Sequence, residues 1–201
     1  RVQKIKPSAT IAVSDKAKQL KAQGVQIISM GSGEPDFDTP VNIQKAATEA
    51  ISAGETRYTA VDGTPQLKKA ICEKFKKENG LDYSVNEVMV SSGGKQVFYN
   101  LCQAILSKGD EVIIPSPYWV SYPDISILAD ATPVFIEAGL DQEFKITAEQ
   151  LESSINSNTK LFVLNSPSNP TGAVYTKSEI ESLGAVLERH PHINIISDDI
   201  Y

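Results

Sequence analysis

Four short stretches carry side chains whose types and spacing could do chemistry. "SSGGKQ", residues 91–96, sets Gly93 and Gly94 just before a helical pattern. Free N–H groups in a helix's first turn, with the positive end of its dipole, form a cradle for a phosphate. "PSPYWVSYP" carries the only tryptophan, Trp119, beside Tyr118. An indole there could cover a flat aromatic ring, and a core tryptophan at a helix start reads equally well. "NSPSNPTG", Asn165 to Gly172, places two asparagines in a turn with prolines at 167 and 170. Prolines fix φ and push the preceding residue out of the helical region, so this turn is stiff. "SDDIY" places Asp198 after the apolar run "INII". A carboxylate at the end of a buried strand is costly unless it faces a cation or a protonated ring nitrogen. Tyr201 lies three residues on and would share its side in a helical turn. Asp199 is the adjacent alternative, pointing elsewhere.

These loops need elements to hold them. After residue 84 the chain alternates: apolar strand-like runs "NEVMV", "DEVIIP", "TPVFIE", "KLFVLN" and "INIIS" are separated by helical patterns at about 94–106, 118–129, 147–155 and 176–189. Successive β–α–β steps predict a three-layer α/β/α fold with a mostly parallel sheet. In such folds ligands bind at the C-terminal edge of the strands, where all four loops would lie. Before residue 84, three helices are expected: "SDKAKQLKAQG" capped by Ser14, "DTPVNIQKAATEAISAG" capped by Thr39 with Pro40 first, and "GTPQLKKAICEKFKKENG" capped by Thr64 with Pro65 first. "VQIISM" reads as a short strand between the first two. "SSGGKQ" is no Walker A loop, because Gln96 replaces the Ser/Thr and Met89 stands where the first glycine belongs; in "GSGEPD", Asp36 occupies the last glycine position of the dinucleotide pattern. A flat ring bearing a phosphate, a basic nitrogen and a polar substituent for an asparagine and a phenol meets every demand at once. Pyridoxal 5′-phosphate is such a ligand.

Bulk properties narrow the alternatives. A net charge of −6 over 201 residues argues against nucleic-acid or membrane-surface binding, which call for a basic face. No apolar run nears the roughly 20 residues of a membrane span, and no signal peptide is legible, though a leader before Arg1 stays open. A cytoplasmic location is expected. Cys72 and Cys102, far apart, read as buried free thiols, and "HPH" (His190, His192) lacks further ligands, so no metal is expected. Two histidines also give poor support to a Ser-His-Asp hydrolase.

The motifs "KPSAT", "GEPDFDTP", "RYT", "SGGKQ", "PYWVSYP", "NSPSNPTGAVY" and "SDDIY" occur in unbroken order over nearly the whole chain. Together they resemble the fold-type I, class I aminotransferases, most of all the bacterial-type aspartate aminotransferases, some of which also use prephenate. The resemblance implies that the backbone at Gly94 and Lys95 binds the cofactor phosphate and that Trp119 stacks on the pyridine ring. Asn169 and Tyr201 would bond the ring's phenolic oxygen, and Asp198 would pair with the protonated ring nitrogen. Tyr58 would reach the phosphate of a neighbouring subunit in a homodimer, and Gly33 would contact the substrate α-carboxylate. It also implies cis peptides at Ser116–Pro117 and Asn169–Pro170.

Lys95 departs from the small hydroxyl residue of many relatives. A lysine in a helix's first turn opposes the dipole, which is tolerated if its ammonium reaches an acidic substrate; a solvated lysine is the plainer reading. Lys6 matches a position linked with prephenate use. The implied activity is ping-pong transfer of the amino group of L-aspartate to 2-oxoglutarate, extending to prephenate. The other readings are an alanine or aromatic aminotransferase, a carbon–sulfur lyase, or an aminotransferase-like ligand-sensing domain. The resemblance puts the Schiff-base lysine and the substrate-clamping arginine downstream of Tyr201. The chain is thus expected to be the N-terminal half of a larger enzyme, with an arm and part of a small domain over residues 1–38 and an incomplete large domain over 39–201.

Overall fold

The computed structural model describes residues 2–5, 7–31, 33 and 35–200. They fall into two compact units, one from Pro7 to Ser91, the other from Ser92 onward together with the residues before Pro7.

The second unit holds a four-stranded, wholly parallel sheet. Strands β1 (Glu111–Ser116), β2 (Thr132–Glu137), β3 (Thr159–Asn165) and β4 (Asn194–Asp198) lie in the order β2-β1-β3-β4. Helices α4 (Gly94–Ile105) and α5 (Ser121–Leu128) cover one face; α6 (Ala148–Ser154) and α7 (Lys177–Leu187) cover the other. The strands are apolar without a break because both their faces are buried. Val112 and Ile114 of β1 join Leu161 and Val163 of β3 beneath α4 and α5, while Ile113 and Phe162 point to the α6–α7 side. This is the period-2 alternation of a pleated strand sorting one continuous run into two cores. The expected three-layer α/β/α architecture with a parallel sheet is present. It has four strands, not five: "NEVMV" forms a 3₁₀ turn at Val85–Glu87. The Glu87 carboxylate accepts from the Ser84 N–H (2.8 Å) and hydroxyl (2.9 Å), and this capping box bends the backbone away from a strand.

The first unit contains α1 (Ala9–Ala22), α2 (Val41–Ser52) and α3 (Pro65–Lys74), the last continued by a π-helical turn, Phe75–Asn79, that closes at Gly80. Thr64 caps α3 by accepting from the Leu67 N–H, with Pro65 in the first turn. Two other expected caps are corrected. Ser8, not Ser14, caps α1, and α2 is preceded by Pro40 with no side-chain cap, so Thr39 does not serve. "VQIISM" forms no strand, since no neighbouring strand among the described residues takes up its backbone groups. Lys68 is buried and pairs with Asp62, whose backbone carbonyl accepts from the Val90 N–H (3.0 Å). Gly63 beside it has φ +104, and a Cβ there would come within 2.7 Å of Val90, so no other residue fits. Among the described residues, no helix is long and apolar enough to cross a membrane.

One ion-pair cluster has a testable pH signature. Lys145 bridges Glu143 (3.1 Å) and Glu179 (2.8 Å), and Glu179 also accepts from the Thr176 N–H (2.6 Å) in the capping box of α7. The hydrogen bond from Lys145, then that from Thr176, holds the Glu179 carboxyl below its ordinary range. Hydrogen bonds to Glu179 and Glu143 push the Lys145 ammonium up. A depressed carboxyl stabilises the fold fully above the ordinary carboxylate range, and that stabilisation is lost as pH falls through the lower folded-state value. A raised lysine stabilises fully below the ordinary lysine range and loses its contribution as pH rises through the raised value. Glu179→Gln keeps the capping box, because glutamine serves at that position, but removes the charge. Urea unfolding of the full-length protein should therefore show a shallower loss of stability on acidification for Glu179→Gln than for the parent. Parallel curves would mean the pair contributes nothing.

Candidate active site

The chain order of the sheet reverses around β1: β2 lies on one side and β3 on the other. Loops leaving β1 and β3 at their C-terminal ends therefore diverge and open a crevice, the usual ligand site of open α/β sheets. The loop after β1 carries Trp119, that after β3 carries Asn169, and Asp198 is the last residue of β4. Cis peptides occur at Ser116–Pro117 and Asn169–Pro170, as expected, and also at Ser166–Pro167, which was not.

A cavity of about 150 Å³ is lined by Gly94, Lys95, Trp119, Tyr122, Asp198 and Ile200. It brings together residues from the loop after β1, the end of β4 and the start of α4. Gly93, with φ +88, opens α4 and supplies no side-chain cap. The Ser92 N–H turns back to Gln96 Oε1 (2.5 Å) and the Gln96 N–H to the Gly93 carbonyl (3.0 Å). Among the described residues the Gly94 and Lys95 amides are left without acceptors, at the positive end of the helix dipole. Trp119 is half-buried against the α4–α5 core, while Tyr118 stacks instead on Phe135 (centroids 5.0 Å apart, 17° between planes). The Lys95 ammonium lies 5.5 Å from the centre of the Trp119 ring, a cation–π distance. Asp198 is half-buried, and Asp199 instead accepts from Ser197 Oγ (2.6 Å). Uncapped amides, an indole and a carboxylate around one cavity fit a flat ring that carries an anionic group and a protonated nitrogen. A second void, beneath the Asn165 turn, measures about 20 Å³ and has room for little more than a water molecule.

Two residues given no role at the level of sequence organise this cavity. Asn165 faces Asp198 in the β3–β4 register; its Nδ2 donates to the Asp198 carbonyl (2.8 Å) and its Oδ1 accepts from the Asn169 N–H (2.7 Å). One amide thus fastens the proline turn to the end of β4. The signal was an asparagine closing a strand four residues before another, a spacing at which the side chain can replace a backbone partner. Tyr122, one helical turn beyond Trp119, donates its phenol hydrogen to Asp198 Oδ2; the i, i+3 spacing in "WVSY" was its signal. Gly33 and Tyr58 belong to the other unit, both exposed. Tyr201 and Lys6 lie outside the described residues. His190 pairs with Glu152 (3.0 Å), which Arg189 also contacts.

The model of the aminotransferase class I and II family matches residues 25–201, most of the chain. This chain belongs to the class I and II aminotransferases. It is 59% identical over 198 residues to the aspartate/prephenate aminotransferase of Cereibacter sphaeroides, with 98% of this chain and 50% of that protein covered. To the enzyme of the same name from Nitrosomonas europaea it is 57% identical, covering all of this chain and 51% of that one. Among solved structures, an aspartate aminotransferase from Thermus thermophilus with maleate superposes at a TM-score of 0.96 and 46% identity, over all of this chain and 52% of that one. The chain spans about half the length of the aminotransferases it matches. An aminotransferase needs an electron-accepting group, and the cavity's donor set suits one.

Proposed function

We propose that the protein to which this chain belongs is a pyridoxal 5′-phosphate-dependent aminotransferase that moves the amino group of L-aspartate to 2-oxoglutarate, and that it also accepts prephenate. The observation that carries the reading is the single cavity in which open α4 amides, the Trp119 indole, the Asp198 carboxylate and the Lys95 ammonium meet. When bound, pyridoxal phosphate supplies an electron sink for a carbon losing its proton. The Gly94 and Lys95 amides would hold its phosphate and Trp119 its ring face. Asp198 would hold its ring nitrogen, and Asn169 with Tyr201 its phenolic oxygen. Tyr58 of a neighbouring subunit would complete the phosphate site in a homodimer, and Gly33 would meet the substrate α-carboxylate. Lys6 is a weaker candidate for prephenate. The division of the whole protein into an arm with part of a small domain (1–38) and a large domain (from 39), and its cytoplasmic location, belong to the same proposal.

Substrate choice rests on Lys95. Aspartate, 2-oxoglutarate, prephenate and the maleate of the Thermus thermophilus complex are all dicarboxylates. A cation at the rim of the cavity favours a second carboxylate over an alkyl group. The names of the relatives at 57–59% identity support both aspartate and prephenate. The test is a half-reaction on the full-length, cofactor-loaded protein, following the cofactor's visible absorbance after addition of one amino acid. Aspartate and glutamate should bleach it rapidly, alanine and phenylalanine slowly. Rapid bleaching by alanine with slow bleaching by aspartate would overturn the substrate assignment.

A further inference from the structure

Tyr122 stands 76 positions before Asp198 in the chain, yet its hydroxyl meets the carboxylate at Oδ2. Its ring is almost wholly buried, at 2% exposure. It is wedged edge-on between Phe98 of α4 (5.0 Å, 61°) and Trp119 (5.2 Å, 84°). The backbone N–H of Tyr122 bonds the Trp119 carbonyl (3.1 Å), so the indole and the phenol are set by the same turn. One side chain therefore touches the helix that offers its amides, the indole and the carboxylate. Among the described residues Asp198 Oδ1 receives no hydrogen bond, so the phenol occupies one oxygen and leaves the other.

We propose that Tyr122 is the positioning residue of this site: its phenol fixes the direction of the Asp198 carboxylate and takes a share of its negative charge. The proposal rests on the reading of the cavity as a pyridoxal-phosphate site. A phenol has a single hydrogen to donate, and an ionised carboxylate only accepts, so the bond has one polarity. Two aromatic neighbours hold the tyrosine ring, so its hydroxyl has little freedom to follow a wandering carboxylate; the carboxylate is held to the phenol. A tyrosine serving only to fill the core would matter to stability alone.

Tyr122→Phe in the full-length protein removes the hydroxyl and keeps the packed ring. Hydrogen bonds to charged groups are the stronger ones, so pyridoxal phosphate should bind the apo form about tenfold more weakly, read by equilibrium dialysis. The pH midpoint of the bound cofactor's visible absorbance should move upward. A carboxylate that no longer shares its charge favours the protonated form of whatever titrates opposite it. In Asp198→Asn, adding Tyr122→Phe should shift neither quantity further, since the phenol acts through the carboxylate. A fluorinated tyrosine in place of Tyr122, a more acidic donor that preserves the packing, should move the midpoint downward, and it serves should the phenylalanine variant fold poorly. An unchanged midpoint and an affinity within about twofold of the parent would overturn the proposal. Equal effects of Tyr122→Phe in the parent and in Asp198→Asn would do the same. Failure of the unaltered protein to take up pyridoxal phosphate would instead bring down the functional reading beneath it.

Discussion

Replacing Asp198 by asparagine in the full-length protein is expected to lower kcat/KM for aspartate by roughly 10²–10³-fold. Asparagine has nearly the same shape and still offers Tyr122 an oxygen, so the cavity keeps its form. What goes is the negative charge opposite the cofactor's ring nitrogen. Removing one member of a hydrogen-bonded charge pair away from water costs about 2–5 kcal/mol, and each 1.4 kcal/mol is a factor of about ten. The loss should fall on kcat more than on KM, because the ring's capacity to accept electrons matters in the transition state and not in substrate binding. Steady-state kinetics with aspartate and 2-oxoglutarate will measure it. A change smaller than about fivefold would remove Asp198 from the site.

Lys95→Thr is expected to separate substrates that differ by one carboxylate. Hydrogen bonds to charged groups contribute about 1.5–3 kcal/mol, so kcat/KM for aspartate should fall about 10- to 100-fold while that for alanine stays within about threefold. Lost stability could not mimic this result. Lys95 is exposed in the first turn of α4, where its charge opposes the helix dipole, and threonine there would relieve that cost. The indole beneath it, 5.5 Å away, gives the ammonium a fixed seat at the rim of the cavity. Equal losses for aspartate and alanine would show that the substitution disturbs the cofactor's phosphate and not the substrate's second carboxylate.

The layered parallel sheet was legible because its strands are buried on both sides, so runs such as "EVII" and "KLFVL" stand out against the polar helices between them. "NEVMV" looked the same and is a turn, because Glu87 finds the Ser84 amide three residues back and no strand lies beside it. Likewise Thr39 looked like a cap for α2, yet the helix begins after Pro40 with no side chain bonded to it. Apolar content marks what will be buried. It does not say whether a neighbour will arrive to complete a ladder.

Within the candidate site the same division holds. Gly94, Lys95, Trp119, Asn169 and Asp198 announce their chemistry by type and by position at strand ends and a helix start, which are local properties of the chain. That Asp198 meets a phenol from α5, and that Asn165 ties the Asn169 turn to the Asp198 carbonyl, depends on β4 pairing beside β3 and on α5 packing under the same strands. The residues involved are 76 and 33 positions apart. Amino-acid order alone determined the fold class and the kinds of group on offer, because burial pattern and side-chain chemistry are written residue by residue. Tertiary structure decided which groups face one another, because hydrogen bonds act over about 3 Å and only the closed sheet brings distant loops within that reach.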